Sequence, residues 1–425
     1  MKAIVVGNGG REHALAWSLL RSPNISRVFC IPGNGGTATL ANCQNVAMSA
    51  TDFDGISRFA LVQGAGLVVV GPEAPLAAGL VDRLKAEGIA AFGPTKDGAQ
   101  IEASKAWAKS LMAEAGVPTA ASAAFGTDEK DAAIAYVRQN GAPIVVKADG
   151  LAAGKGVVVA QSEGEAIDAI EAILGGRFGE AGATIVIEEF LTGQEVSVLA
   201  IADGKTVVPL LPAQDHKQVG EGDTGPNTGG MGVYAPTPLL SSEQVDRVRR
   251  EVLEPTLAAL RSRDIDFRGV LYAGLMVAED GTPKVLEFNC RFGDPETQAV
   301  LPLLETPLDE VLLACVEGRL AELDALEWSE GVSVCVVLAS GGYPEAYEKG
   351  KVISGIEIAE TQDAVVFHAG TTLQQGQLLT SGGRVLGVTT VAEDFEAAIA
   401  KTYAAVEPIE FEGCYYRRDI GYRIR

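Results

Sequence analysis

Short apolar runs that end in glycine-rich turns recur along the first hundred residues. Lys2–Val6 reads as a buried strand, Gly7–Gly10 as a tight loop and His13–Leu20 as the start of a helix. Val28–Ile31 leads into PGNGGT and Leu67–Val70 into GPEAP, repeating the strand-then-loop pattern. This alternation predicts an open α/β domain, in which ligands sit beyond the carboxyl ends of the strands. From Ser104 the texture changes. SKAWAKSLMAEAG has helical spacing and stops at Gly116, with Pro118 just beyond. A compact α/β stretch follows, with Ala132–Gln139 helical, PIVVKA and GVVVA as strands, Glu165–Leu174 helical and TIVIEEFL as a strand. DGLAAGKG joins its first two strands as a glycine-rich hairpin, not as a βαβ crossover. Between Glu195 and about Glu327 come more strands, a polar glycine-rich loop from Gly220 to Gly232, and helices near 242–262 and 296–317. Past Trp328 the runs SVCVVLAS, AVVFHAG and GRVLGVTT alternate with turns and predict a small, mostly β domain.

Composition narrows the class. At 425 residues the chain outgrows a single hydrophobic core, so roughly two to four domains are expected. With a formal net charge of −22, a basic face for nucleic acid or an anionic membrane is not the default expectation. Any phosphate ligand must therefore be met by a few local cations, backbone amides or a metal ion. The six cysteines form no CxxC pair and the three histidines have no zinc-site spacing, so reduced thiols in a cytoplasm are expected. The apolar stretch of MKAIVVGNGGREH is too short for a signal peptide, and no run is long enough to span a membrane.

Four motifs carry candidate chemistry. Lys147 lies on a strand, and Gly150, Gly154 and Gly156 bracket Lys155 in the hairpin that follows. Glycines let backbone approach phosphate oxygens while lysines supply compact charge. The spacing is not a Walker A loop, and a flexible hairpin with a surface lysine would carry the same residues. IEEFLTGQE places Leu191 beside Glu188 and Glu195, an apolar slot next to carboxylates that could suit an adenosine, although alone it reads better as a strand end with solvated acids. In VLEFNCRFGDPETQ, period-two alternation puts Glu287, Asn289 and Arg291 on one strand face. Two oxygen ligands at that spacing can hold Mg²⁺ against phosphates, and Arg291 can clamp a carboxylate or phosphate. Burying these groups with Asp294 and no ligand would be costly, which favours a metal site. AQDHKQVGEGDTGPNTGGMG carries Asp215, His216, Lys217, Asn227, Thr228 and Gly229. So long a polar loop is more often functional than decorative, and a mobile surface loop is the other reading. His216 as a general base rests on a single histidine.

At the N-terminus GNGGREH lacks the third glycine of a dinucleotide fingerprint. Gly9, Gly10 and Arg11 suit a loop over a sugar phosphate as well as a structural turn. An NAD(P)-dependent oxidoreductase is therefore disfavoured, and a nucleotide-binding regulator without turnover would have no need of Lys147, Lys155, Glu287, Asn289 and Arg291 together.

Together these motifs resemble the ATP-grasp superfamily and, within it, the glycinamide ribonucleotide synthetase family. The blocks GNGGREHALAW, GPEAPLAAGLVD, KADGLAAGKG, IEEFLTGQE, QDHK, DTGPNTGGMG, LYAGLM, EFNCRFGDPETQ, GGYP, GGRVLGV and RRDIGY run in family order over essentially the whole chain. The resemblance implies an N-terminal open α/β domain (1–103), a connecting helix (104–121), an ATP-grasp lid (122–193) and catalytic subdomain (194–327), and a small C-terminal, mostly β domain (328–425). It further implies that Lys105, Lys147 and the Gly154–Gly156 loop with Lys155 contact ATP phosphates. Glu188 and Leu191 are expected to meet adenine through their backbone, and Glu195 the ribose. Glu287 and Asn289 would hold Mg²⁺ or Mn²⁺. Gly9, Gly10, Arg11, Asp215, Lys217, Asn227, Thr228, Gly229, Arg291 and Asp294 would hold glycine and 5-phosphoribosylamine, with Arg291, Lys155 and Asp215 at the chemistry. Many relatives carry a further acidic metal ligand on the strand before Glu287, and LYAGLM has none. A cytoplasmic monomer that ligates glycine to the amine is expected.

Overall fold

The computed structural model describes residues 1–151 and 156–424; Gly154 and Lys155 lie outside them. Five parallel strands form the first sheet, in the order Cys43–Asn45, Arg27–Pro32, Lys2–Gly7, Ala65–Val70 and Ala91–Phe92. Both faces are covered: Ile4 and Val6 join one core with Ile56 and Leu80, while Ala3 and Val5 join another with Leu15 and Leu19. Burial on both sides is why these strands read as continuous apolar runs. The first helix starts earlier than the pattern suggests, at Gly10, and ends at Arg21. Its cap is Glu12, whose carboxylate accepts the Gly9 N–H at 2.6 Å, a charge favoured in a first helical turn.

The helix Lys105–Ala115 is capped by Ser104, whose Oγ accepts from Trp107 N at 3.1 Å, and it ends at Gly116 in left-handed backbone. It leads to an antiparallel sheet ordered Ser122–Gly126, Thr184–Glu189, Ile144–Ala148 and Val157–Ala160. Ile144, Val146 and Ala148 pack with Ile170, Ile185 and Ile187, so alternation turns Lys147 to the opposite face, toward the next sheet. The strand expected over TIVIEEFL stops at Glu189. Its neighbours begin at Ser122 and Ile144, opposite Glu188 and Glu189, leaving Phe190 and Leu191 nothing to pair with.

The next antiparallel sheet runs Val207–Pro209, Gln194–Asp203, Arg268–Val277 and Pro283–Asn289. The helix expected over 296–317 is two, Glu296–Val300 and Leu308–Glu317. Pro307 sits at the break, lacking an N–H and disfavouring helix in the residue before it. The last large sheet orders Gln214–Asp215, Gly232–Ala235, Val332–Ala339, Arg384–Ala392 and Val365–His368, and packs against the helix Phe395–Val406. Two of its strands precede residue 328, so it straddles the division expected there. The N-terminal domain docks on it through His368 N–H, which donates to His13 Nδ1 at 2.8 Å, and Asn34 Nδ2, which donates to His368 O at 2.7 Å. No helix among the described residues is long and apolar enough to cross a membrane.

Candidate active site

All these units contribute to one cavity of about 530 Å³. Lys105, Ala108, Lys109 and Met112 come from one face of the helix Lys105–Ala115, as spacings of three and four residues require. Asp149, at the root of the glycine-rich hairpin, caps that helix: its Oδ1 accepts from Ala106 N at 2.7 Å and its Oδ2 from Ser104 Oγ at 3.0 Å. Lys105 Nζ donates to Gly150 O at 3.3 Å, so the hairpin begins directly over the lysine. Lys147 and Lys109 converge on Glu188, with nitrogens 3.0 and 3.4 Å from Oε2. Lys147 also donates to Leu286 O at 3.2 Å, tying the lid sheet to the metal-candidate strand. Burial, and the neighbouring Lys147, pull the Lys109 ammonium down to about 8 despite Glu188.

Across the cavity, Glu287 and Asn289 lie on the strand Pro283–Asn289 and line the wall. Burial opposes ionisation of Glu287, but the charges of Lys217, Lys147, Lys105 and Arg291 hold its carboxyl below the usual carboxylate range. It is a carboxylate surrounded by cations and bonded to none of the described residues. Among those residues no three His, Cys, Asp or Glu side chains cluster around a metal position. A divalent cation here would take Glu287 and Asn289 and complete its shell with phosphate oxygens and water, the usual pattern for magnesium. The pair fits that role. Arg291 lies just beyond the strand. Its Nη2 donates to Asn289 Oδ1 at 3.1 Å and lies 3.0 Å from Glu102 Oε1, and its Nε is 3.4 Å from Glu73 Oε2. The strand Arg268–Val277, which offers no acid, places Tyr272 opposite Asn289. Tyr272 Oη donates to Glu296 Oε1 at 2.5 Å and Ser197 Oγ to the same oxygen at 3.0 Å, so a carboxylate reaches this wall from a helix instead.

The loop 215–230 closes the remaining side. Asn227, Thr228 and Gly229 line the cavity with Asp215, Lys217 and Asp294. Thr228 N–H and Oγ1 both donate to Lys217 O at 2.7 Å, and Gly229 N–H donates to Tyr343 Oη at 3.1 Å. Lys217 Nζ pairs with Glu195, and both line a second cavity of about 470 Å³ that shares Asp215 with the first. Burial pushes the Asp215 carboxyl up to about 7 against the pull of Lys217, and Glu296 and Glu195 add to the rise. Asp294 is held below the usual carboxylate range despite burial, by Arg384, 3.2 Å away, and Arg11. His216 is fully buried, accepts Gly421 N–H at its Nε2 and is lowered to about 3 by burial and nearby arginines. It lines neither cavity and its Nε2 is taken by a backbone amide, so it serves as a neutral strut.

Most of the residues singled out from sequence therefore meet in one place. Arg11 lines the cavity, but Gly9 and Gly10 do not: a Cβ on Gly9 would stand 3.3 Å from Asp294 Oδ2, and one on Gly10 2.5 Å from Gln298 Nε2. Those glycines let the first domain lie close against the segment 294–298. Lys147 stands behind the wall through Glu188 and Leu286, and Leu191 lines neither cavity. Sequence reasoning missed Lys109, Glu73, Glu102, Glu296, Tyr343 and Arg384. Lys109 was findable, one helical turn from Lys105. The others reach the site from distant segments.

A cleft between two antiparallel sheets, with Lys105 and Lys109 facing a Glu–Asn pair, is the arrangement of an ATP-grasp protein. The sequence matches the family profiles described as phosphoribosylglycinamide synthetase N domain over residues 1–102, ATP-grasp (A) domain over 103–297 and C domain over 333–423. The chain belongs to the phosphoribosylglycinamide synthetase family. It is 63% identical to the phosphoribosylamine–glycine ligase of a Nostoc species and 59% identical to that of a Synechocystis species, each match covering 100% of both chains. A crystal structure of the Thermotoga maritima phosphoribosylamine–glycine ligase superposes with a TM-score of 0.85 at 34% identity, covering 99% of this chain and 100% of that one. The biotin carboxylase domain of a Hydrogenobacter thermophilus carboxylase shares the fold alone, at 17% identity and a TM-score of 0.73.

Proposed function

We propose that the protein ligates glycine to 5-phosphoribosylamine with ATP, through glycyl phosphate, giving glycinamide ribonucleotide, ADP and phosphate. The observation that carries this reading is the single cavity in which Glu287, Asn289 and Lys105 face Asp215, Arg291 and the loop 227–229. The full-length likeness to ligases of that name supports it. We further assign the units 1–103, 104–121, 122–193, 194–327 and 328–425 as working parts of this one cleft. We also propose a monomer in a cytoplasmic setting, which six free thiols suit.

A carboxylate is a poor electrophile. A glycine carboxylate oxygen attacking the γ-phosphorus expels ADP and leaves an acyl phosphate; the amine nitrogen then attacks the acyl carbon, phosphate departs and the nitrogen loses a proton. Positioning and charge neutralisation are the protein's share of such transfers. Lys105, with Lys155 of the hairpin, binds the phosphates, with Lys147 reaching them only if it leaves Glu188 and Leu286. Glu188 and Leu191 offer their backbone to the base from the strand end beside the cavity, with Glu195 near the ribose. Mg²⁺ or Mn²⁺ held by Glu287 and Asn289 supplies Lewis-acid neutralisation of phosphate charge. Arg291 and Asp294 orient the glycine and, with Arg11, Lys217, Asn227, Thr228 and Gly229, the sugar phosphate; Gly9 and Gly10 let the first domain close on them. Asp215 takes the amine proton.

Near neutral pH an acceptor at about 7 is well matched to that task. Its ionised form is the active one, so kcat/KM should rise with pH through about 7 and level off above it. Asp215→Asn should lower kcat by about 10²–10⁴-fold and flatten this acid limb. An unchanged limb in the variant assigns the ionisation to another group. The reading as a whole is tested by ADP release with Mg²⁺, ATP, glycine and phosphoribosylamine formed in the cuvette from ribose 5-phosphate and ammonia, each omitted in turn. ADP requiring all of them, with glycinamide ribonucleotide seen by mass spectrometry, is expected. No ADP from folded protein and verified substrate would reject it.

A further inference from the structure

The end of the chain grips the loop that faces the cavity. Gln218–Gly220 and Thr224–Asn227 form a two-stranded hairpin whose second strand is exposed throughout. Two strands alone are marginal in water, so a fixed position needs an outside partner. Asp223, at the tip with φ 56°, accepts from Arg417 Nη1 at 2.8 Å, Tyr422 Oη at 2.6 Å and Arg423 Nη2 at 2.5 Å. Asp419 accepts the Gly222 N–H at 2.8 Å and both Nε and Nη2 of Arg417. Arg417 Nη1 also donates to Gln218 O at 3.1 Å, and Tyr415 Oη to Val219 O at 2.8 Å. The Arg417 side chain is 0% exposed. A guanidinium taken out of water is costly unless its donors are met, and these all go to the hairpin or to Asp419, which itself holds the hairpin. At the hairpin's base stand Asn227, Thr228 and Gly229, on the cavity wall. Arg417 and Asp419 line neither cavity.

We propose that the segment 415–423 is a positioning clasp: Arg417 and Arg423, through Asp223, fix where Asn227, Thr228 and Gly229 stand and so set affinity for the substrates that loop holds. The proposal rests on the assignment of the loop to glycine and the phosphoribosylamine made above. Arg417 acts through the loop and touches no substrate.

Two variants test it. Arg417→Lys keeps the charge and loses the planar fork, and Asp223→Asn keeps the shape and loses the charge. Each should raise KM for glycine or for phosphoribosylamine about tenfold or more, with kcat changed less than about threefold and KM for ATP less than about twofold. Because both sever one connection, the double variant should be little worse than either single one. Hydrogen–deuterium exchange should quicken across 218–229 and stay at wild-type rates in the other sheets. Unchanged KM values with wild-type exchange in that hairpin overturn the clasp. So does a fall in kcat alone in a protein with a much lower Tm, since that marks a role in global stability. Exchange needs no substrate. Fast hairpin exchange in the variants, beside wild-type protein that fails to ligate glycine, would keep the grip on the loop and discard its link to these substrates.

Discussion

Glu287→Gln is expected to lower turnover by about 10³-fold or more, with Tm within about 3 °C of wild type. The side chain keeps its length and one oxygen. What disappears is the negative charge that Lys217, Lys147, Lys105 and Arg291 stabilise. Glu287 makes no hydrogen bond or ion pair with another described residue, so the substitution cuts no specific contact, and its cost to the fold is the lost attraction to these cations. A divalent cation at this wall would lose the carboxylate that Glu287 supplies, and an amide oxygen is a much weaker partner for Mg²⁺. Initial rates of ADP formation against Mg²⁺ concentration, with a thermal melt of the same preparation, check both halves. Rates within about tenfold of wild type at ordinary Mg²⁺ would take the metal away from this strand.

Glu287 and Asn289 were legible in sequence because alternation along VLEFN is a local property of a strand. Arg291 was assigned to the same face, yet the strand ends at Asn289 and Arg291 enters the site by pairing with Glu102 and Glu73, about two hundred positions earlier. Charge pairing at that separation leaves no periodic trace. The register shift between Gly274 and Leu275, opposite Leu286, is equally hidden. Glycines worked in both directions. They marked the strand-end turns correctly, but they concealed the start of the first helix, where Glu12 supplies the cap. At Gly9 and Gly10 the small residue serves a close approach between domains. The five-stranded C-terminal sheet was invisible as a unit because it borrows Gln214–Asp215 and Gly232–Ala235 from across a long insertion. The GGYP and GGRVLGV blocks stood out by resemblance, and only the fold shows that Tyr343 and Arg384 bring them to the cavity.

Arg291→Met should abolish ligation and also destabilise the protein, by about 3–5 kcal/mol near pH 8, because it strands a buried carboxylate. Glu102 is the group left behind. Its side chain is only 8% exposed, and burial already raises its pKa even with Arg291 beside it. Without the guanidinium the carboxyl rises further, so the folded variant holds a proton that the unfolded chain releases. Stability of the variant relative to wild type must then fall as pH rises above the unfolded carboxylate range, and recover on acidification. Adding Glu102→Gln to Arg291→Met removes the charge and should restore most of the lost stability and its pH dependence. It should not restore ADP formation, since the clamp proposed for the substrate carboxylate is still missing. Denaturant melts of both variants at about pH 5 and pH 8 separate the two roles. Equal destabilisation at both values would show that the lost stability is not that of a stranded Glu102 charge, and activity returning with Glu102→Gln would show that Arg291 is a structural counter-ion and that substrate is held elsewhere.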